Sequence, residues 1–199
     1  MGIIVRHYSA ALDAVTPRQS IRPAAMKASL QPIADGIDRI TAAVGAAAAW
    51  CCLYIVLAEF AVVVMRYALG VGSIALQESV LYAHAALFLL AAAWTLQAGG
   101  HVRVDIFYAQ AKPRTRALVD LGGALLFLLP FAVVLALLSV PYAARSWAIL
   151  EGSREASGLP FLYLLKTLIP LFAVLIGLQG MAQAIRAALV LLASAQQAQ

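Results

Sequence analysis

Apolar residues in this chain come in four long runs instead of recurring at helix or strand spacing. The runs lie at about Thr41–Arg66, Ile74–Gln97, Ala117–Tyr142 and Phe161–Ile185, each about 23 to 26 residues long. A hydrocarbon core about 30 Å thick needs roughly 20 apolar residues in a helix, and the surplus allows tilt. The alternation of a lipid-facing barrel strand is absent, and a spanning segment must satisfy its own backbone, so helices are expected. The pattern predicts an all-α integral membrane protein with four transmembrane helices. Residues 1–40 read as a cytoplasmic or interfacial tail, 41–192 as the membrane domain, and 193–199 as a C-terminal tail.

Polar residues between the runs set the orientation. Arg6, Arg18, Arg22, Lys27 and Arg39 precede the first run; Arg103, Lys112, Arg114 and Arg116 lie between the second and third; Arg186 follows the fourth. About ten cations thus flank one side, against four on the other: Arg66, Arg145, Arg154 and Lys166. Basic flanks favour the cytoplasm. Both termini and the 98–116 loop are therefore expected inside, with the 67–73 and 143–160 loops outside. Tyr67, Tyr142, Trp147 and Tyr163 fall near the outer edge, and Trp94, Phe107 and Tyr108 near the inner one, the depth that aromatic rings favour. The first 40 residues lack a continuous apolar stretch and are not expected to be a cleaved signal peptide.

Composition adds exclusions. Of the 199 residues, 64% are hydrophobic and 12% charged, far from the balance of a soluble domain. The net charge of +5 is spread between apolar runs and forms no stripe, so nucleic-acid binding is not expected. Cys51 and Cys52 are neighbours in the first run, suited to neither a disulfide framework nor a zinc site, and read as buried apolar thiols.

Charged residues inside a bilayer need partners. Glu59 lies in the first span, Arg66 seven positions later, and Glu78 near the start of the second. Arg66 is expected to pair with Glu78 or Glu59, within the chain or across an interface. His84 has no histidine in another span to complete a haem site, and is expected to hydrogen-bond across a helix interface. Pro130 and Pro170 should bend their helices; Gly177 and Gly180 would permit close packing. No catalytic constellation, metal set or cofactor motif emerges, and the paired broken helices of a substrate site are missing.

Three segments go further. They are Arg66-Tyr-x-Leu-Gly with Leu76-Gln-Glu78; Gly99-Gly-His-Val-Arg-Val-Asp-Ile-Phe-Tyr108; and Glu151-Gly-Ser-Arg-Glu-Ala-Ser-Gly-Leu-Pro160, continuing through Tyr163-Leu-Leu-Lys166, Ile169-Pro170 and Gln179-Gly180. Over about residues 40 to 190 the chain resembles the small permease subunit of tripartite ATP-independent periplasmic (TRAP) transporters, the DctQ-like family.

That resemblance implies a sodium-driven importer of an organic anion in the bacterial inner membrane. It implies two protein partners: a large TRAP membrane subunit carrying substrate and sodium sites, and a periplasmic substrate-binding protein. This chain would be a scaffold with neither catalysis nor cofactor. Glu59, Arg66, Glu78, His101, Arg103 and Asp105 are the candidate structural and partner contacts. His101 and Asp105 are four apart, on one face of any helix there. Lys112, Arg114 and Arg116 would meet anionic phospholipids. Arg145, Glu151, Arg154 and Glu155 in the outer loop are candidates for docking the binding protein. The competing reading from the span pattern is the membrane anchor of a redox enzyme; a third is a small stand-alone transporter or channel.

Overall fold

With every backbone amide needing a partner inside its own segment, helix is the local solution. The computed structural model describes residues 17–101, 108 and 110–196. Its helices are α1 (Pro17–Ala68), α2 (Ile74–Gln97), α3 (Pro113–Ala148) and α4 (Leu162–Gln196). All four are long and apolar enough to cross a membrane, and the described residues contain no strand. We call the end bearing the 69–73 and 149–161 connections the Gly70 end, and the opposite one the Gly99 end.

Two boundaries differ from the sequence pattern. The expected tail over 1–40 is no separate unit from Pro17 onward, because α1 runs unbroken into the first span. Ala34 and Ile37 bury themselves against Ala182 of α4, so tertiary packing holds a stretch whose sequence is polar and proline-containing. At the other terminus, α4 continues to Gln196.

The helices are ordered around α4. About 39% of its apolar window is buried, against 11% in each of the other three, so α4 is the central helix. It runs beside α1 and α2 on one side and α3 on the other. Small residues make the close approaches possible, as expected where lipid supplies no hydrophobic drive between helices. Ala93, Ala132, Leu175 and Ile176 form the central cluster. A Cβ on Gly45 would lie 2.6 Å from Trp94 of α2, and one on Gly180 2.8 Å from Leu128 of α3. Gly177 likewise faces Ala132.

The helix interruptions have local causes. In α3, Ala124–Leu128 widens into a π turn, with the Leu129 N–H bonded to the Ala124 carbonyl. Pro130 follows directly; it has no N–H to donate, and its ring would collide with the carbonyl four residues back. The helix ends are closed by paired reverse hydrogen bonds. At α2, Gly100 N–H reaches Thr95 O at 2.9 Å and Gly99 N–H reaches Leu96 O at 3.1 Å, with Gly99 at φ +67°. At α3, Glu151 N–H reaches Ser146 O at 3.0 Å and Leu150 N–H reaches Trp147 O at 3.1 Å. The left-handed position there is filled by Leu150 at φ +46°, where glycine is usual.

Candidate functional site

The 149–161 connection at the Gly70 end is built around a carboxylate from another helix. Glu78, in the second turn of α2, accepts the Ser153 hydroxyl and the Leu159 N–H, the latter at 2.6 Å. The loop closes on itself through Ser153 N–H to Leu159 O at 2.9 Å and Gly158 N–H to Glu155 O at 3.1 Å. Gly158 sits against both groups. A Cβ there would fall 2.3 Å from Ser153 Oγ and 2.7 Å from Glu78 Oε2, so the arrangement admits only glycine.

A second strut stands beside it. Glu151 Oε2 accepts from the Ser146 hydroxyl at 2.7 Å and from the Lys166 ammonium at 2.5 Å. Lys166 also lies 4.4 Å from the centre of the Tyr142 ring. The Lys166 hydrogen bond, and after it the Ser146 bond, hold the Glu151 carboxyl below the usual carboxylate range. Trp147 ties the two helices that flank the loop, donating from α3 to Thr167 Oγ1 of α4 at 2.8 Å and packing on Tyr163 at 4.5 Å between ring centres. The loop is thus fixed to α2, α3 and α4, while Arg154 and Glu155 project from it exposed. Beneath it lies a shallow cleft of about 380 Å³, bordered by Glu78, Tyr82, Tyr142, Glu151 and Arg154.

A second polar cluster lies toward the Gly99 end and was not singled out from the sequence. Asp38 of α1 forms an ion pair with Arg186 of α4 and accepts from Gln179 Nε2 at 3.0 Å. Thr41 Oγ1 lies 3.1 Å from both Gln179 Oε1 and Gln97 Oε1. Gln183 Nε2 donates to Leu96 O at 3.3 Å, and Asp35 lies 3.5 Å from Arg186. Gln179 is completely buried and Thr41 nearly so, at 0% and 1% exposure. The network therefore satisfies polar groups that packing has removed from both lipid and water. Its sequence trace is the spacing of Gln179, Gln183 and Arg186, which share one face of an otherwise apolar helix.

The residues singled out from sequence fall in different places. The structure does not bring Arg66 to Glu78 or Glu59: Glu78 is occupied by the loop, whose backbone and serine donors reach it first. Glu59 and Arg66 are exposed on α1, without hydrogen-bond or ion-pair partners among the described residues. His84 is likewise exposed on α2 instead of bonded across an interface within the chain, and Cys52 is exposed instead of buried. Arg145 is exposed in the last turn of α3, where it complements the helix dipole. Glu151 is tied inward instead of being a free loop charge. His101 is exposed just past Gly100, and Arg103 and Asp105 lie outside the described residues.

Fixed charges, a preformed loop and a hydrogen-bonded helix junction are present, and no group of three or more metal-binding side chains occurs among the described residues. A model of the family described as tripartite ATP-independent periplasmic transporters, DctQ component, matches residues 55–190. Neither the curated proteins nor the solved structures contain a match. The matched stretch includes the whole 149–161 loop with Glu78, and ends four residues past Arg186.

Proposed function

The chain belongs to the DctQ component family of tripartite ATP-independent periplasmic transporters, and from that premise we propose that it is the scaffold subunit of a sodium-driven organic-anion importer. As a family member it is a multi-pass membrane protein and a transporter component, not an enzyme. It works beside a large membrane component and a periplasmic binding component.

In the proposed arrangement the protein sits in a bacterial inner membrane with both termini in the cytoplasm. The Gly70 end then faces the periplasm. The excess of Lys and Arg around the Gly99 end supports this orientation, in which Lys112, Arg114 and Arg116 would meet anionic phospholipid. His101, Arg103 and Asp105 would brace the exit of α2 against the large subunit. Substrate and sodium are handled in that subunit.

The observation that carries the docking role is the loop pinned by Glu78. A loop held by the Glu78 and Glu151 struts binds without first losing its own conformational freedom. Its exposed charges, Arg154 and Glu155, with Arg145 nearby, steer a charged partner and make encounter salt-dependent. The test is uptake by the reconstituted three-component system. Reversing Arg154 and Glu155 should raise the binding-protein concentration needed for half-maximal rate, with the maximal rate kept. An unchanged concentration dependence would remove the loop from docking. Full-rate uptake by the large subunit and binding protein alone would remove the scaffold role.

A further inference from the structure

The outer half of α1 has two adjacent exposed stripes of opposite character. Trp50, Leu53, Leu57, Phe60, Val64 and Tyr67 form one, with successive spacings of 3, 4, 3, 4 and 3 residues. Ala49, Cys52, Val56, Glu59, Val63 and Arg66 form the other at the same spacings, one position round the helix, and all six are exposed. The first stripe is bulky and apolar, which suits lipid. The second has small or β-branched side chains broken by two ionisable ones.

Depth separates the two charges. Arg66 lies two residues from the helix end at Ala68, and its long side chain can reach the headgroups. Glu59 lies nine residues from that end, about 13 Å along the axis and about two turns inside the Thr41–Arg66 apolar run. Its short side chain has no such escape, and no described residue of this chain pairs with it. An exposed carboxylate at that depth is unfavourable against lipid, so a protein group covers it.

A second copy of this chain fits poorly. Copies inserted with one topology meet in parallel through this stripe, so a two-fold pair would set Glu59 against Glu59. Like charges at one depth repel. The occupant is therefore a different helix. We infer that the Ala49–Arg66 stripe of α1 receives a transmembrane helix of the large membrane subunit, and that this helix presents a cationic or hydrogen-bond-donating side chain to Glu59. The small residues allow the two backbones to approach, and the 3-4 spacing matches a left-handed helix pair. This inference rests on the transporter assignment above and deepens it by naming the face.

The experiment uses the complete transporter, co-expressed and purified through a tag on this chain. A photoreactive residue at Val56 should cross-link to the large subunit, while the same residue at Leu57 should not. Glu59→Lys should lower the copurified large subunit about tenfold or more, and Glu59→Gln, still an acceptor, by much less. A self-adduct of two small subunits from Val56 would overturn the inference, as would large-subunit adducts from Leu57 alone. So would wild-type recovery of the large subunit by Glu59→Lys. The photoreactive arm keeps Glu59 in place, so it stays decisive if the lysine variant fails to fold. If the unaltered chain copurifies no large subunit, the assignment beneath falls as well, which separates the two failures.

Discussion

The polar clusters at the two ends of the bundle use the same device for different ends. Each centres on a carboxylate that reaches across a helix boundary: Asp38 from α1 and Glu78 from α2. Asp38 gathers two side chains of α4, Gln179 and Arg186, and thereby fixes how α1 and α4 pack. Glu78 gathers a loop, through Ser153 and the backbone of Leu159. The first arrangement spends its hydrogen bonds inside the bundle, on the buried Gln179 and Thr41, while Arg186 stays part-exposed at its edge. The second spends its hydrogen bonds on holding a surface still. Damage to the first should thus loosen the bundle, and damage to the second should free the loop while the bundle stays intact.

Breaking the helix junction should have the largest effect. Asp38→Ala leaves Arg186 only the more distant Asp35 and removes an acceptor from the buried Gln179, a loss of about 2 to 3 kcal/mol that falls chiefly on Gln179. Thermal unfolding in detergent should show a clear fall in midpoint, with earlier proteolysis of the first half of α1. An unchanged midpoint would reduce the junction to a surface contact.

Next comes Gly158→Ala. The new methyl meets Ser153 and Glu78 well inside contact distance, which costs the loop about 2 kcal/mol. Limited proteolysis should nick residues 149–161 faster, while the unfolding midpoint of the helices barely moves. If the midpoint falls as far as it does with Asp38→Ala, the two clusters are one cooperative unit and the contrast between them is wrong.

The Glu151 strut should respond to acid more weakly than either substitution. Its carboxyl is held below the usual range in the folded loop, chiefly by Lys166. Its contribution is complete above the ordinary carboxylate range and is lost as pH falls through the lowered value. Hydrogen exchange across the loop should therefore stay slow at mildly acidic pH and accelerate only below that range. Glu151→Gln should abolish the acid step; a step that persists belongs to another group.

The smallest effect is predicted at Leu150. A left-handed leucine costs about 1 kcal/mol relative to glycine, so Leu150→Gly should slow loop proteolysis slightly without touching the Asp38 junction. Faster proteolysis would mean that the leucine side chain, not its backbone, is what the loop needs.

How much of this was legible in the sequence differs by element. The Ile74–Gln97 helix is observed at the limits its apolar run suggests, because both ends carry local instructions: Ser73 accepts the Leu76 N–H, and Gly99 takes the left-handed turn. The helical stretch from Pro17 to Ile40 was not legible. It depends on Ala182 and Arg186, which lie about 150 residues away and leave no local trace. Glu78 illustrates the same limit at the candidate site. The nearest cation in sequence, Arg66, was the natural partner, yet the groups that reach the carboxylate are 75 and 81 residues further on. The loop charges were visible, whereas the inward turn of Glu151 requires knowing that α4 brings Lys166 alongside.

The π turn in α3 has a consequence beyond relieving Pro130. Buried positions on that helix fall at Ala117 and Ala124, then at Ala132 and Ser139, so intervals of seven residues are separated by one of eight. In an unbroken α-helix an extra residue would rotate everything after it by about 100°. The wide turn absorbs that rotation and returns Ala143 and Ser146 to the face that meets α4. It acts as a phase corrector for the half of the helix that ends in the Glu151 strut. Removing one residue from Ala124–Leu128 together with Pro130→Ala should give a plain helix with the same buried face. Removing one residue beyond Leu129 should instead swing Ser146 off Glu151 and misplace a loop that the deletion never touches.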